Sequence, residues 1–100
     1  MLDLDAIISK SYQIKINGDL INVNQPSVKM VREFNSSMMN DSEDIDIFAI
    51  QTDFALKLLN NNTSAKRFTK ADIEKLPAEA LGAIINVVAN GVEEAEKNPN

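Results

Sequence analysis

The residues best placed to do chemistry are the carboxylates of the segment NDSEDID, where Asp41, Glu43, Asp44 and Asp46 lie close together. Clustered carboxylate oxygens are typical calcium ligands, but this segment lacks the central glycine and the closing glutamate of an EF-hand loop. We therefore favour a structural role, in which Asp41 or Ser42 caps the next helix and the acids stabilise the positive end of its dipole. The sequence predicts no metal site here.

Carboxylates can also act in general acid–base catalysis if they share a face and their surroundings tune their pKa. Asp46 and Asp53 share a helical face, but they lie in a polar arc that we expect to face solvent. The 100 residues include no cysteine and no histidine, which removes the commonest nucleophile–base pairs and nearly all zinc sites. The three glycines form no phosphate-binding pattern. We predict a protein that is not an enzyme and uses no cofactor.

The net charge of −5, from 15 acidic and 10 basic residues, argues against a nucleic-acid partner. The local basic cluster of Lys66, Arg67, Lys70 and Lys75 is diluted by acids and is interpreted as a solvated face. No stretch approaches the ~20 apolar residues of a membrane span, and the first ten residues do not resemble a signal peptide. We expect no membrane partner and a cytoplasmic location.

A β-hairpin at about 12–24 is the clearest predicted element. Asn17-Gly18 is a strong signal for a type I′ turn, in which both central residues need positive φ. The predicted register pairs Ile16 with Asp19, Ile14 with Ile21 and Tyr12 with Val23. Since this register puts the apolar residues on one face, the hairpin must pack against helices.

Four helices are predicted after the hairpin, at about 26–39, 43–60, 69–76 and 77–90. Pro26 suits the first turn of the first helix, and Thr69 with Asp72 resembles a capping box. The apolar stripe predicted for the first helix is Val28, Val31, Phe34 and Met38, with Met30 beside it. We predict one α+β, mostly helical domain over 1–100, with a weakly ordered arm or short helix at 1–10, an exposed loop at 60–67 and a frayed tail at 92–100.

The segment IDIFAIQTDFALKLL is more apolar than one core-facing helix requires, since ten of its fifteen residues are apolar. On a helical wheel they form two ridges. The first is Ile47, Ile50, Phe54 and Leu58; the second is Ile45, Phe48, Ala49, Ala55, Leu56 and Leu59. Either the helix is sandwiched within the domain, or one ridge is left open to a partner.

We favour the first ridge as the open one, because the second contains the alanines that let helices pack closely. Phe48 and Phe54 belong to different ridges, so at most one of them should anchor the core fully. Met38 and Met39 are either adaptable surface residues or gap fillers, and Tyr12 joins the hairpin core or lines the rim of a groove. The candidate partner-binding residues are Ile47, Ile50, Phe54, Leu58, Phe48, Met38, Met39 and Tyr12.

The stretches IKINGDLINVNQPSVKMVREF and FTKADIEKLPAEALGAIINVVANGV, in this order, resemble the tail assembly chaperones of lactococcal-type siphophages. The resemblance covers roughly residues 12–92. It implies an acidic, non-enzymatic protein that binds amphipathic helices of the tape measure protein, keeps it soluble, forms a homo-oligomer and is absent from the mature virion. It assigns no individual residue. The alternatives are a structural tail-completion or connector subunit and a small regulatory or host-interacting phage protein.

Overall fold

The computed structural model describes residues 1–39 and 45–90. Its elements, in chain order, are α1 (Leu4–Ile8), β1 (Ser11–Ile16), β2 (Asp19–Asn24), α2 (Val28–Met38), α3 (Ile47–Asn60), α4 (Lys70–Glu74) and α5 (Ala78–Asn90). The predicted α+β, mostly helical fold is confirmed. The predicted tail at 92–100 lies outside the described residues. Within those residues, no helix is long and apolar enough to cross a membrane.

The hairpin has the predicted turn and register. Asn17 and Gly18 have φ values of 54° and 85°, the left-handed conformation that a type I′ turn requires at both positions. The strands are antiparallel, and Tyr12 faces Val23 across the pair. Both of these side chains are buried, together with Ile21, so one face of the hairpin belongs to the core.

Helix α2 begins later than predicted, because a better cap lies further along the chain. The Ser27 hydroxyl accepts a hydrogen bond of 3.2 Å from the backbone N–H of Met30 and forms the N-cap. Pro26 therefore precedes the cap, and its predicted place in the first helical turn is wrong. The core-facing row is also shifted, because Met30 and Phe34 pack on the core while Val28 is exposed.

Helix α3 also begins later than the predicted position 43. The side chain of Asp46 accepts a hydrogen bond of 3.1 Å from the backbone N–H of Ala49, and the helix starts at Ile47. The cap predicted at Asp41 or Ser42 is wrong for this helix, and both residues lie outside the described part of the chain. Asp46 takes this role because it is in extended backbone directly before the apolar run.

The two C-terminal helices begin where the sequence predicted, within a residue. At α4 the backbone N–H of Thr69 donates to the Asp72 carboxylate (2.8 Å), and the backbone N–H of Asp72 donates to the Thr69 hydroxyl (3.2 Å). This is the predicted capping box. At α5 the carbonyl of Pro77 accepts from the N–H of Ala80 (2.9 Å).

The core forms around α3, which packs against α2, α4, α5 and β2. The buried apolar residues come from these elements and from β1: Tyr12, Ile21, Val23, Phe54, Ala55, Leu58, Leu59, Ile73, Leu81, Ile84, Ile85 and Val88. Fully burying one such aliphatic or aromatic side chain stabilises the fold by ~1.5–3 kcal/mol. The central helix is therefore the main scaffold on which any surface site is held.

The predicted loop at 60–67 is exposed over 63–67 but structured at its start. Asn62 forms an antiparallel bridge with Val23. The N–H of Asn24 donates to the carbonyl of Asn61 (2.8 Å), and the N–H of Thr63 donates to the carbonyl of Asn22 (3.1 Å). The segment thus joins the second strand of the hairpin through an isolated bridge, while the sheet itself has two strands, and the sequence did not predict this contact.

Candidate interaction surface

The apolar surplus of α3 divides along the length of the helix. In the first turn Ile47 is 48% exposed and Phe48 is 62% exposed, whereas Phe54 is 3% exposed and Leu58 is fully buried. The apolar side chains of the C-terminal half are mostly buried, whereas those of the first turn are exposed. Neither ridge is open along its whole length, and the exposed apolar surface is confined to the first turn, where it includes one residue of each ridge.

The prediction that the first ridge is open is wrong for Phe54 and Leu58. Helix α2 covers this side, and the Phe34 ring stacks on the Phe54 ring with a centroid distance of 4.1 Å and an interplanar angle of 11°. Ile50 is half-buried, and Ile47 is exposed. A helical wheel contains no information about where along its axis another helix crosses.

The second ridge divides in the same way. Ala55 and Leu59 are fully buried and Leu56 is partly buried, but Phe48 is exposed. The expectation that at most one of Phe48 and Phe54 anchors the core is confirmed. Phe54 is the anchor, and Phe48 is available at the surface.

Phe48 borders a cleft of about 430 Å³ between the first turns of α3 and the α4–α5 segment, here called the Phe48 cleft. Its apolar lining includes Ile73, Leu76 and Leu81. The hydroxyl of buried Thr52 donates to the carbonyl of Phe48 (2.7 Å), so this polar group is satisfied within the helix. The cleft therefore combines apolar and polar side chains, and its buried hydroxyl is not unpaired.

Charged residues at the edge of the Phe48 cleft are Asp46, Lys70 and Glu74. The capping box of Thr69 and Asp72 closes the first turn of α4, which borders the cleft. Its strongest interaction, the hydrogen bond from the Thr69 backbone, lowers the pKa of the Asp72 carboxyl below its ordinary value, and the Thr69 hydroxyl and Lys75 act in the same direction. The ionised carboxylate is thus the form that caps α4.

A second depression, of about 650 Å³, lies between α2 and the end of α5 and is here called the α2–α5 groove. Its walls include Val28, Val31, Met39 and Val88, and Arg32 contributes a guanidinium group. Val28 and Met39 are 75% and 78% exposed. The groove is open, mainly apolar and positively charged on one side.

Three further candidate residues lie at or near this groove. Tyr12 is buried in the core and also lines the groove, so both of the alternatives considered for it apply. Met39 is at the surface of the groove, whereas Met38 is half-buried and does not line it. The structure therefore separates the predicted partner-binding residues. Phe54 and Leu58 lie in the core, Phe48 borders the Phe48 cleft, and Tyr12 and Met39 line the α2–α5 groove.

The sequence prediction missed Val28 and Arg32 as groove residues and gave no role to residues 1–10. Leu4, Ile7 and Ile8 in α1 are all exposed. Their i, i+3, i+4 spacing was the available signal for an amphipathic segment.

The chain has also been compared with known proteins. No protein-family model, curated protein or solved structure matches it.

Proposed function

We propose that this protein is a non-enzymatic tail assembly chaperone of a siphophage. It binds amphipathic helices of the tape measure protein in the cytoplasm of the infected host and keeps that protein soluble until the tail is built. The observation that carries the proposal is the exposure of Phe48 and Ile47 on the same helix that forms the centre of the core.

The energetic argument starts from the cost of leaving these side chains in water. Burial of a Phe or an Ile stabilises by ~1.5–3 kcal/mol each, and that stabilisation is forgone in the free protein. Exposed apolar surface beside a cleft is typical of a binding site. The exposed Phe48 and the apolar residues of the Phe48 cleft offer contacts for a helix with anchors at i, i+3, i+4 and i+7, and the charged edge of the cleft faces the polar side of such a helix.

The surrounding charge suits a chaperone that must itself stay in solution. The net charge of −5 produces repulsion between copies and opposes non-specific aggregation of the exposed apolar surface. A small cleft gives weak binding to any one helix, and several copies on a long client would add avidity. The tape measure protein, which the family resemblance names, is a client of this kind.

The test is co-expression of the chain with the tape measure protein, followed by measurement of the soluble fraction of that client. Phe48→Ala should reduce the soluble fraction while the chaperone remains folded. Leu20→Ala is the matched control, because Leu20 is 64% exposed on the outer face of the hairpin, away from the cleft. Equal solubility of the client with and without the wild-type chain would contradict the proposal.

The proposed chaperone function also predicts that purified virions lack the protein. Mass spectrometry that finds it in stoichiometric amounts would instead support a structural tail-completion or connector subunit.

A further inference from the structure

The α1 arm, residues 1–10, is an apolar surface separate from the Phe48 cleft. Leu4, Ile7 and Ile8 share a helical face, and all three are exposed. Helix α1 is five residues long and none of its residues is buried. Because helices this short depend on tertiary packing for stability in water, the apolar face of the arm requires a cover.

The α2–α5 groove has the length and the lining that such a cover needs. The eleven residues of α2 extend for about 17 Å, and a helical segment of eight arm residues is about 12 Å long. Val28, Val31 and Val88 line the groove with aliphatic side chains. An amphipathic helix that lies in a groove of this kind uses anchors at i, i+3 and i+4, the spacing found in the arm.

The charges of the two surfaces are also complementary. The arm carries Asp3 and Asp5 near its start and Lys10 at its end, beside the Tyr12 ring of the groove wall, and the groove presents the guanidinium of Arg32. Since two copies of a chain with net charge −5 repel each other, a contact between them is favoured where acidic and basic groups meet. The arm and the groove provide such a pair.

The arm of the same chain lies at the rim of the groove. The side-chain amide of Gln25, a groove residue, donates to the backbone carbonyls of Ile7 and Lys10. Two residues separate α1 from β1, whose Tyr12 forms part of the groove wall. This short, hydrogen-bonded connection holds the arm outside its own groove, and none of residues 1–10 lines it.

We propose that the α2–α5 groove binds the α1 arm of a second copy of this chain, and that two copies exchange arms symmetrically. The contact is isologous, with two identical arm–groove pairs. Each buried aliphatic side chain removes on the order of 100 Å² of apolar surface from water. Two arms and the groove walls that they cover therefore reach the roughly 1,000 Å² of a specific interface.

The exchange assigns the two apolar surfaces to different partners. The α2–α5 groove joins copies, and the Phe48 cleft stays open to a client helix. Only the identity of the client rests on the proposed function; the contact between copies does not. Its own test is the association state of the full chain, and the client-solubility assay tests the other surface independently.

Light scattering after size-exclusion chromatography measures the association state. The wild type should be a dimer at ~100 µM, because the symmetric exchange uses both arms and both grooves. Leu4→Ser with Ile8→Ser should weaken association at least tenfold, since it removes apolar burial from both arms. Leu20→Ser, an exposed apolar residue outside both surfaces, should leave it unchanged. A monomeric wild type, or equal association of the arm variant, would overturn the proposal.

Charge reversal tests the predicted pairing of arm and groove. Asp5→Arg and Arg32→Asp should each weaken association, and the double variant should recover most of the loss. Both positions are exposed, so the fold should tolerate each change, and circular dichroism verifies this. If the loss of association free energy in the double variant equals the sum of the losses in the two single variants, these two side chains do not meet and the proposal fails.

Mixing the two kinds of variant distinguishes exchange between copies from closure of an arm on its own groove. The arm variant keeps an intact groove, and Val28→Glu, which puts a carboxylate in the groove, keeps an intact arm. A mixture should form heterodimers through the one remaining arm–groove pair, with affinity between those of the wild type and either variant alone. Absence of heterodimers would overturn exchange and favour closure within one chain.

Discussion

Phe48 and Phe54 stand six positions apart on one helix and have opposite surroundings. Phe54 lies in the core, and its ring stacks on Phe34 of α2. Phe48 lies in the first turn, where its ring is mostly exposed beside a cleft. The same residue type thus stabilises the fold at one end of α3 and remains available for binding at the other. The difference comes from what faces each ring, since Phe34 of α2 packs against Phe54 whereas Phe48 borders an open cleft.

The largest expected effect is the contrast in stability between the two phenylalanines. Phe54→Ala should reduce the free energy of unfolding by ~3–5 kcal/mol, because it removes a buried ring and leaves a cavity. Phe48→Ala should change it by less than about 0.5 kcal/mol, the range for surface substitutions. Urea unfolding of both variants measures the contrast. Equal and large losses would show that Phe48 is also a core residue.

The next effect concerns the buried end of α3, which Asn60 fixes to the following segment. Its side-chain amide donates to the carbonyl of Phe68 (3.1 Å) and accepts from the N–H of Phe68 (2.7 Å). Asn60→Ala should cost ~1–3 kcal/mol, since it leaves two backbone groups without their partner.

Asn60→Asp is the matched control for this site in urea unfolding. It keeps the acceptor for the N–H of Phe68 but turns a second carboxylate oxygen towards the carbonyl oxygen of Phe68, which repels it, so its cost should be at least as large as that of the alanine variant. A much smaller cost than that of the alanine variant would indicate that this side chain does not face the carbonyl of Phe68.

A smaller effect is expected at the exposed end, where Asp46 caps the turn that carries Phe48. Asp46→Ala should destabilise the protein by ~1 kcal/mol and fray the first turn, while Asp46→Asn should retain the cap. Thermal unfolding measures the loss, and the client-solubility assay measures whether the frayed turn still presents Phe48. A stability equal to that of the wild type would show that the cap is not formed in solution.

The smallest effect is a pH dependence at the α4 wall of the Phe48 cleft. The pKa of the Asp72 carboxyl is lower in the folded protein than its ordinary value of 3.8. The ionised carboxylate therefore stabilises the capped helix fully at pH values above 3.8. This stabilisation is lost as the pH falls through the folded pKa, when the carboxyl becomes protonated. Unfolding of the wild type and of Asp72→Asn, compared between about pH 5 and lower pH, measures the difference. A constant difference across this range would contradict the assignment.

Local signals were enough to predict the elements of the fold. The type I′ turn at Asn17-Gly18 determines the hairpin register, and the Thr69–Asp72 pair marks the start of α4, because each depends on residues close in sequence. The starts of α2 and α3 were predicted too early, since several adjacent polar residues compete for the cap and tertiary packing decides between them. Ser27 and Asp46 are the ones selected.

The candidate site was predicted less well than the fold. Periodicity correctly identified an excess of apolar surface on α3, and it separated Phe48 from Phe54. It could not show that exposure changes along the axis, because that depends on where α2 crosses the helix at Phe54. The α2–α5 groove brings together residues far apart in sequence, such as Val28 and Val88, and no local pattern marks it.

Asn61 and Asn62, which follow α3, affect how the protein unfolds. A two-stranded hairpin is marginally stable by itself, and here Asn61 and Asn62 connect its second strand to the end of the central helix. The hairpin and the buried half of α3 should therefore unfold as one cooperative unit, with the same slow exchange of their amide protons. Helix α1 lies outside that unit, so its amides should exchange rapidly in an isolated copy and be protected when the copy associates.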